Sequence, residues 1–277
     1  MQTMQIKIHD DFDLKKIISC GQCFRAKEFE DGRFRFITGD HVLYIQGIDE
    51  NSFTASCEEE EWNEVWAPYF DLMRDYRKLR EKAYEKHEFV QRAMDCGCGI
   101  RILHQDPWEM LVTFIISQRK SIPAIAKSVE ALAERFGHVI ETGDETLYSF
   151  PTPDELCDAS EEELKSCGLG YRTPYVSDAI RRVVGGALDL KTIASYGDEE
   201  LFQELLTVHG VGKKVADCVC LFGYGRTARA PIDVWIDRAI REECHGENPF
   251  PLFGGDAGII QQYIFYYEKT MNKFVNS

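Results

Sequence analysis

The spacing of apolar residues divides the chain into a short part with strand-like alternation and a long part with helical periodicity. Apolar and polar residues alternate through 33–57, and the dipeptides Asp31-Gly32 and Gly39-Asp40 lie beside and within this stretch. A period of two predicts strands with one buried face, and Gly/Asp dipeptides predict tight turns between them. We therefore expect an antiparallel sheet near the start of the chain.

After Glu58 the apolar positions recur every three or four residues, as in amphipathic helices. Helices are predicted near 60–69, 75–94, 107–118, 123–136, 153–159, 161–167, 174–184, 198–207, 211–223, 233–243 and 258–269. Strands followed by a long run of helices indicate an α+β protein. We expect a sheet domain over 1–104, with flanking helices, and a helical domain over 105–277.

A glycine-rich turn joins two of these helices, in a predicted hairpin at about 199–223. The first helix ends at Gly210-Val211-Gly212, and a second amphipathic helix follows at once. Glycine lets the backbone turn tightly and lets a ligand come close, and the free N–H groups that begin the second helix suit a DNA phosphate. An ordinary αα-hairpin with a glycine C-cap explains the same residues, so the motif alone leaves both interpretations open.

The second helix contains two adjacent lysines that differ in their surroundings. Lys214 shares a face with Val215 and Cys218, whereas Lys213 lies on another face, four residues before Asp217. Because burial disfavours an ammonium group, we expect Lys214 to have a lowered pKa and a nucleophilic amine. Lys213 is expected to form a solvated ion pair with Asp217 or to contact a phosphate. A Lys214 that extends its charge to water is the simpler alternative.

Asp233 follows Pro231-Ile232 at the start of a predicted helix. An aspartate at such a position normally caps the helix. A carboxylate beside a lysine in a cleft also stabilises the positive charge that develops on a sugar when a purine leaves. The two roles are compatible, so Lys214 and Asp233 are the candidate catalytic pair.

Segment 205–240, which reads LLTVHGVGKKVADCVCLFGYGRTARAPIDVWIDRAI, resembles the helix-hairpin-helix DNA glycosylases. Further resemblance to their 8-oxoguanine DNA glycosylase branch comes from 20–25, 105–111, 114–118 and 168–172. The resemblance implies a TBP-like sheet domain packed on a helical body. It also implies base-excision repair by a bifunctional glycosylase and lyase that excises 8-oxoguanine. Lys214 would be the Schiff-base lysine and Asp233 the catalytic aspartate.

The same resemblance implies a base pocket. In it, the carbonyl of Gly21 would accept the N7–H of 8-oxoguanine and repel the N7 lone pair of guanine. Gln261 and Phe265, one helical turn apart, would pair with and stack on the base, with Cys218 opposite the ring. Without the hairpin, a core phenylalanine beside an exposed glutamine would explain that pair. Residues expected to contact DNA are Gly210, Gly212, Lys213, Arg119, Tyr171 and Arg172.

Two positions depart from the family pattern. The segment that fills the void left by the extruded base is typically rich in asparagine, but here it reads Gln118-Arg119-Lys120-Ser121. Arg119 is expected to reach the unpaired base or a phosphate, with Tyr171 as a wedge, and a plain surface arginine is the alternative. Trp235 stands where the family's phosphate-contacting histidine is expected. The preference for the opposite base therefore does not follow from the resemblance.

The net charge of −15 is the main objection to a DNA partner, because DNA-binding proteins usually present a basic surface. The charge is uneven, since 203–241 contains six basic and four acidic side chains. Binding to damaged double-stranded DNA through backbone amides and a few cations would be strongly salt-dependent. Two alternatives stay open: an alkylpurine glycosylase, which needs no lysine, and a non-catalytic DNA-binding hairpin protein.

No cofactor is expected to be required. By resemblance, the hairpin would bind a structural K⁺ or Na⁺ through the carbonyls of Leu206, Val208 and Val211. Only one of the ten cysteines follows Asp233, so a C-terminal iron–sulfur cluster is not expected. Cys20 and Cys23 have the C-x-x-C spacing but no second Cys/His pair, so reduced thiols without disulfides are expected.

The cellular location is predicted from what the sequence lacks. Its longest apolar run, 110–116, is far shorter than the ~20 residues of a membrane helix, and its start has no signal-peptide pattern. We expect a cytoplasmic monomer without a membrane partner, associated with the nucleoid when bound to DNA.

Overall fold

The first part of the chain forms five antiparallel strands. In the computed structural model, which describes residues 3–275 and the side chains of 3–271, these are β1 (Met4–Lys7), β2 (Lys27–Glu28), β3 (Phe34–Thr38), β4 (His41–Gly47) and β5 (Ser52–Ala55). Their spatial order is β1-β5-β4-β3-β2. β3 and β4 pair in antiparallel fashion through a turn that contains Gly39, with a φ of 54°. The predicted antiparallel sheet and the predicted turn at Gly39-Asp40 are therefore confirmed. The strands β1 and β2 were not predicted, because so few residues contain too little alternation.

A short helical segment covers this sheet and completes the first core. α1 (Leu14–Ser19) precedes β2, and α2 (Glu59–Glu61), a π-helical turn (Trp62–Trp66) and α3 (Ala67–Tyr69) follow β5. Phe36 and Leu43 of the sheet are fully buried together with Trp66 and Phe70. The rings of Phe36 and Phe70 meet edge to face, with centroids 5.0 Å apart. Burial of large aromatic side chains therefore stabilises the sheet domain.

The rest of the chain is mainly helical. Its helices are α4 (Tyr76–Ala83), α5 (Glu88–Gly97), α6 (Pro107–Ser117), α7 (Ile122–Phe136), α8 (Glu161–Leu164), α9 (Thr173–Val184), α10 (Asp198–Leu206), α11 (Lys213–Tyr224), α12 (Val234–Glu243) and α13 (Ala257–Val275). The central helix is α6, which is buried throughout 108–116 and packs against α7, α9 and α11. The predicted α+β fold, a sheet domain with a helical body, is confirmed.

Two predicted helices are wrong in detail. The helix predicted over 75–94 is divided into α4 and α5, with His87 extended between them. The buried positions explain the break, because the step from Ala83 to Phe89 is longer than the three or four residues that keep one helical face. The helix predicted over 153–159 forms only turns, since Leu156 is its one buried residue and no apolar stripe exists to stabilise a helix.

A hairpin of β6 (Val139–Glu141) and β7 (Thr146–Tyr148), which was not predicted, links the helical body to the sheet. Glu145 of this hairpin lies 2.8 Å from Arg35 and accepts a hydrogen bond of 3.0 Å from Tyr44. The domain boundary predicted between 104 and 105 stays a prediction. Within residues 3–275, no helix has both the length and the apolar character required to cross a bilayer.

Candidate active site

The hairpin between α10 and α11 is shaped by two glycines with different roles. Gly210 has a φ of 81°, and a Cβ there would lie 2.3 Å from the ring of Tyr175, so no other residue fits. Gly212 is the residue before α11, and the space around its Cα is open. The first N–H groups of α11 therefore begin beside an unobstructed backbone, as binding of a phosphate requires.

A cavity of about 1320 Å³ lies between the end of α6, α11, the segment before α12, and α13. It is lined by both predicted catalytic residues and by all four predicted base-pocket residues: Lys214, Asp233, Gly21, Cys218, Gln261 and Phe265. These residues come from four separate parts of the chain. The structure thus brings together the whole predicted catalytic and base-binding set.

Lys214 enters the cavity from the first turn of α11. Its side chain is half-buried, whereas that of Lys213 is exposed, which is the expected difference in orientation. The ammonium nitrogen of Lys214 lies 5.1 Å from the ring centroid of Phe114 on α6. Phe114 in turn stacks on Phe222 with centroids 5.5 Å apart. An aromatic face attracts the ammonium group and directs it into the cavity.

Asp233 caps α12, as predicted. Its Oδ1 accepts hydrogen bonds from the backbone N–H groups of Trp235 (3.0 Å) and Ile236 (2.9 Å). Burial raises the pKa of Asp233, while the N–H donor of Ile236 and the charge of Lys214 act in the opposite direction. Both bonds go to one oxygen, so the cap fixes the carboxylate at the cavity wall without needing its second oxygen.

Cys218 stands one turn after Lys214 on the same face of α11. Burial raises the pKa of its thiol to about 11, even though the charge of Lys214 favours the thiolate. At neutral pH the group is therefore a thiol, a small polarisable wall of the cavity and not a nucleophile.

The opposite wall is formed by Gly21 and by two residues of α13. Gly21 has a φ of 80°, and a Cβ there would meet the ring of Phe265 at 2.8 Å. Gln261 is 3 % exposed, and its Oε1 accepts a hydrogen bond of 3.0 Å from Gln262. A flat aromatic face, a glycine backbone and an oriented amide are the groups that recognise a base removed from its stack.

Two family models together match most of the chain. The N-terminal domain of 8-oxoguanine DNA glycosylase matches residues 5–111, and the HhH-GPD superfamily of base excision DNA repair proteins matches 112–248. A solved structure of MBOgg1 with a low-affinity DNA ligand is 36 % identical, with 98 % of this chain and 97 % of that chain covered and a TM-score of 0.93. The chain belongs to the 8-oxoguanine DNA glycosylase family.

Other members of the family are also similar to this chain. The 8-oxoguanine glycosylase/lyase of Clostridium acetobutylicum is 36 % identical in its apo form, with 96 % of both chains covered and a TM-score of 0.90. The N-glycosylase/DNA lyase of Saccharomyces cerevisiae is 37 % identical over 157 residues, which are 52 % of this chain and 42 % of the yeast protein. The match thus spans less than half of the yeast protein's length.

The segment after α6 departs from the family pattern and is held in an unusual conformation. Arg119 lines the cavity, is exposed and has a φ of 51°, a left-handed value that is rare for a residue other than glycine. The side chain of Gln118 donates a hydrogen bond of 3.0 Å to the carbonyl of Gly210. The segment after α6 and the hairpin are thereby joined at Gln118, and the next residue, Arg119, lines the cavity.

Three residues expected to contact DNA have different surroundings. Tyr171 is 53 % exposed, and its hydroxyl donates to the carbonyl of Gln118 at 3.3 Å. The expectation that the Arg172 side chain contacts DNA is wrong. Arg172 is 6 % exposed, and its Nε donates to the same carbonyl at 2.9 Å. Its guanidinium supports the loop from inside instead of facing DNA. Lys213 is exposed, but the ion pair expected with Asp217 is replaced by one between Asp217 and Arg229, at 3.7 Å.

Several residues of the site were not predicted. Phe114, which belongs to a segment that resembles the family, lies against the ammonium group of Lys214. On α9, Tyr175 packs against His209 with centroids 4.8 Å apart, and Asp178 accepts the His209 N–H at 3.0 Å, so α9 holds the hairpin turn. Trp235, at the family's histidine position, is half-buried and lines the cavity. The contacts of Phe114, Tyr175 and Asp178 join parts of the chain that are far apart in sequence, and no local pattern indicates them.

The cysteines form no disulfide. All ten are free thiols in the structure, and most of them are buried. Cys20 and Cys23 are both buried but belong to different cores. Cys20 accepts a hydrogen bond of 3.0 Å from Gln22, and Cys23 lies 3.7 Å from the hydroxyl of Tyr69. Their C-x-x-C spacing thus serves packing at the junction of the two domains.

Proposed function

We propose that this chain excises 8-oxoguanine from duplex DNA and then cleaves the strand at the abasic site, with Lys214 as the nucleophile. The observation that carries the proposal is the placement of Lys214 and Asp233 in one cavity whose other wall is Gly21 and Phe265. The related proteins of Clostridium acetobutylicum and yeast are named 8-oxoguanine glycosylase/lyase and N-glycosylase/DNA lyase.

The chemistry begins when the amine of Lys214 gives its electron pair to C1′ of the extruded nucleotide. The C1′–N9 bond breaks, its electrons leave with the base, and the base takes up a proton. The carboxylate of Asp233 stabilises the positive charge that develops on the sugar. Loss of a proton from the amine and opening of the sugar ring give a Schiff base. Removal of a C2′ proton then expels the 3′ phosphate by β-elimination.

The base is recognised at the wall opposite Lys214. Phe265 stacks on one face of the base, Cys218 closes the other, and Gln261 pairs with the Watson–Crick edge. The carbonyl of Gly21 accepts the N7–H that 8-oxoguanine has and guanine lacks. A guanine in the same place leaves that acceptor unpaired, a loss on the order of 1 to 3 kcal/mol.

Duplex DNA is held by the hairpin and by the loop after α6. Gly210 and Gly212 bring the start of α11 near a phosphate, Lys213 adds a positive charge, and Tyr171 and Arg119 enter the void left by the base. The relative solved with DNA that contains cytosine opposite 8-oxoG, from Clostridium acetobutylicum, is 34 % identical with a TM-score of 0.89. Every group named here belongs to one chain, which supports a monomer.

A monovalent cation fits the hairpin turn. The carbonyls of Leu206, Val208 and Val211 come from the C-terminal end of α10 and the turn itself, where the helix dipole is negative. The Val208 carbonyl accepts the Val211 N–H at 3.0 Å and keeps a second lone pair. Neutral oxygens of this kind suit K⁺ or Na⁺. The cation would supply positive charge beside a DNA phosphate.

One incubation tests the proposal. Duplex DNA with a single 8-oxoguanine is treated with the protein, and the products are separated with and without alkaline work-up. The proposal expects strand cleavage in both cases and none for the duplex with guanine. Cleavage only after alkali would remove the lyase step. A parallel panel of duplexes with one other lesion each tests the alternative substrate, which release of alkylated purines instead of 8-oxoguanine would establish. No base release from any lesion would leave a DNA-binding protein without catalysis.

A further inference from the structure

The loop that carries Gly21 is fixed by one fully buried glutamine. The side chain of Gln22 is 0 % exposed. Its Nε2 donates to the carbonyl of Arg101 at 2.7 Å and to the sulfur of Cys20 at 3.0 Å, and its Oε1 accepts the N–H of Leu103 at 2.8 Å. The carbonyl of Gln22 accepts a fourth bond, of 2.9 Å, from the side chain of Gln105. Gln22 thus ties the Gly21 loop to segment 101–105 through both its side chain and its backbone.

Segment 101–105 is itself a rigid support. Arg101 is 0 % exposed, and its guanidinium donates to the carbonyl of Phe70 at 2.9 Å and to that of Asp71 at 2.6 Å. Asp106 follows this segment and caps α6, the central helix of the body. The Gly21 loop is itself neither helix nor strand, but it is bonded to a buried segment that leads directly into α6.

On its other side, Gly21 packs against the base pocket. With a φ of 80° and Phe265 2.8 Å from the place of its missing Cβ, Gly21 has little freedom to move toward α13. Burial of an amide is unfavourable unless its polar atoms form hydrogen bonds, whereas an apolar side chain could pack here without forming any. The Gln22 amide is paired with two backbone groups and with the sulfur of Cys20, which indicates that it maintains the position of this loop.

We propose that Gln22 is a positioning residue that sets the location of the Gly21 carbonyl and so determines the preference for 8-oxoguanine. Gln22 touches neither DNA nor the reacting atoms, and it acts through Gly21. The inference rests on the proposed function, in which that carbonyl reads N7–H. Loss of Gln22 should therefore affect only one of two activities. Removal of the base requires a correctly placed carbonyl, whereas cleavage of a preformed abasic site does not, because no base is present.

The test compares these two activities in Gln22→Met. Methionine has a similar length and no amide, so it leaves the Leu103 N–H unpaired. Excision of 8-oxoguanine under single-turnover conditions is expected to fall at least about tenfold, since a displacement of ~1 Å at a reading group has effects of this size or larger. Cleavage of preformed abasic DNA, and its borohydride trapping, should stay within about twofold of the unmodified protein.

Two further variants complete the design. Gln105→Met removes only the bond to the Gln22 carbonyl, so it should show the same selective loss to a smaller extent. Gln5→Met makes the same chemical change at an exposed position of β1, remote from the cavity, and should alter neither activity.

The outcomes separate the inference from the proposed function. An equal fall of both activities in Gln22→Met would overturn the inference, because it would show a general structural role, and two unchanged activities would overturn it as well. In either case the unmodified protein would still cleave both substrates, and the proposed function would stand. An unmodified protein that releases no 8-oxoguanine would overturn the proposed function and the inference together.

Discussion

Two clusters of charged side chains lie along α6, and they differ in their access to a cavity. Near the end of α6, Lys214 and Asp233 line an open cavity. Near its start, Glu109 is 7 % exposed and faces Arg25, which forms an ion pair of 3.0 Å with Glu130. Burial raises the pKa of Glu109 to about 7, against the attraction of Arg25, and burial raises the pKa of Asp233 as well.

The comparison shows that a raised pKa indicates burial and does not by itself indicate catalysis. Glu109 and Arg25 are both buried, and the charge of Arg25, which also pairs with Glu130 of α7, attracts the Glu109 carboxylate. Lys214 and Asp233 are only partly buried, and they adjoin a cavity of about 1320 Å³. Access to the cavity, together with the facing residues that are proposed to bind the base, distinguishes the proposed catalytic pair from Glu109 and Arg25.

The largest expected difference between the two clusters is in catalytic activity, when each acid is replaced by its amide. Asp233→Asn removes the charge but keeps a good cap, so base release should fall by roughly 10²- to 10³-fold with little change in thermal unfolding. Glu109→Gln, the matched control, should retain the rate of 8-oxoguanine release. Single-turnover kinetics measure both. A fast Asp233→Asn, or a Glu109→Gln as slow as Asp233→Asn, would contradict the assignment.

For stability the expected order is the reverse, with a larger effect of replacement at Glu109 than at Asp233. Because the pKa of Glu109 is higher in the folded chain than its ordinary value of 4.5, the protein loses stability as the pH rises through about 7. Glu109→Gln avoids this loss, so its advantage over the unmodified protein should grow by up to about 3 kcal/mol between pH 5 and pH 9. Urea unfolding at the two pH values measures the difference. A pH-independent difference would show that the carboxylate does not titrate in this range.

The smallest effect is expected at the exposed edge of the cavity. Arg119→Ala should weaken binding to a lesion duplex by roughly 1 kcal/mol and lower the slope of log K against log salt by about 0.9, if the guanidinium neutralises one phosphate. Lys15→Ala, which removes one charge from an exposed side chain of α1, is the control and should leave the slope unchanged. Equal slopes for all three proteins would place Arg119 away from the phosphates. Fluorescence anisotropy at several salt concentrations measures the slopes.

The sequence predicted the hairpin, the half-buried lysine and the helix cap of Asp233 because each depends on residues close together in the chain. Together with the family resemblance, these local features predicted residues that line the cavity. The contact of Phe114 with Lys214, the burial of Arg172 under the Gln118 carbonyl and the pairing of Asp217 with Arg229 were not predictable. Each depends on how distant segments pack, and a charged side chain at the surface of its own helix can be covered by another element.

The central claim is that Lys214, and not its neighbour, forms the covalent bond to DNA. Borohydride reduction during reaction with the 8-oxoguanine duplex, followed by proteolysis and mass spectrometry, locates the modified residue directly. The account predicts an adduct at Lys214 that is lost in Lys214→Gln and kept in Lys213→Gln. An adduct that persists in Lys214→Gln, or one that disappears only in Lys213→Gln, would contradict it.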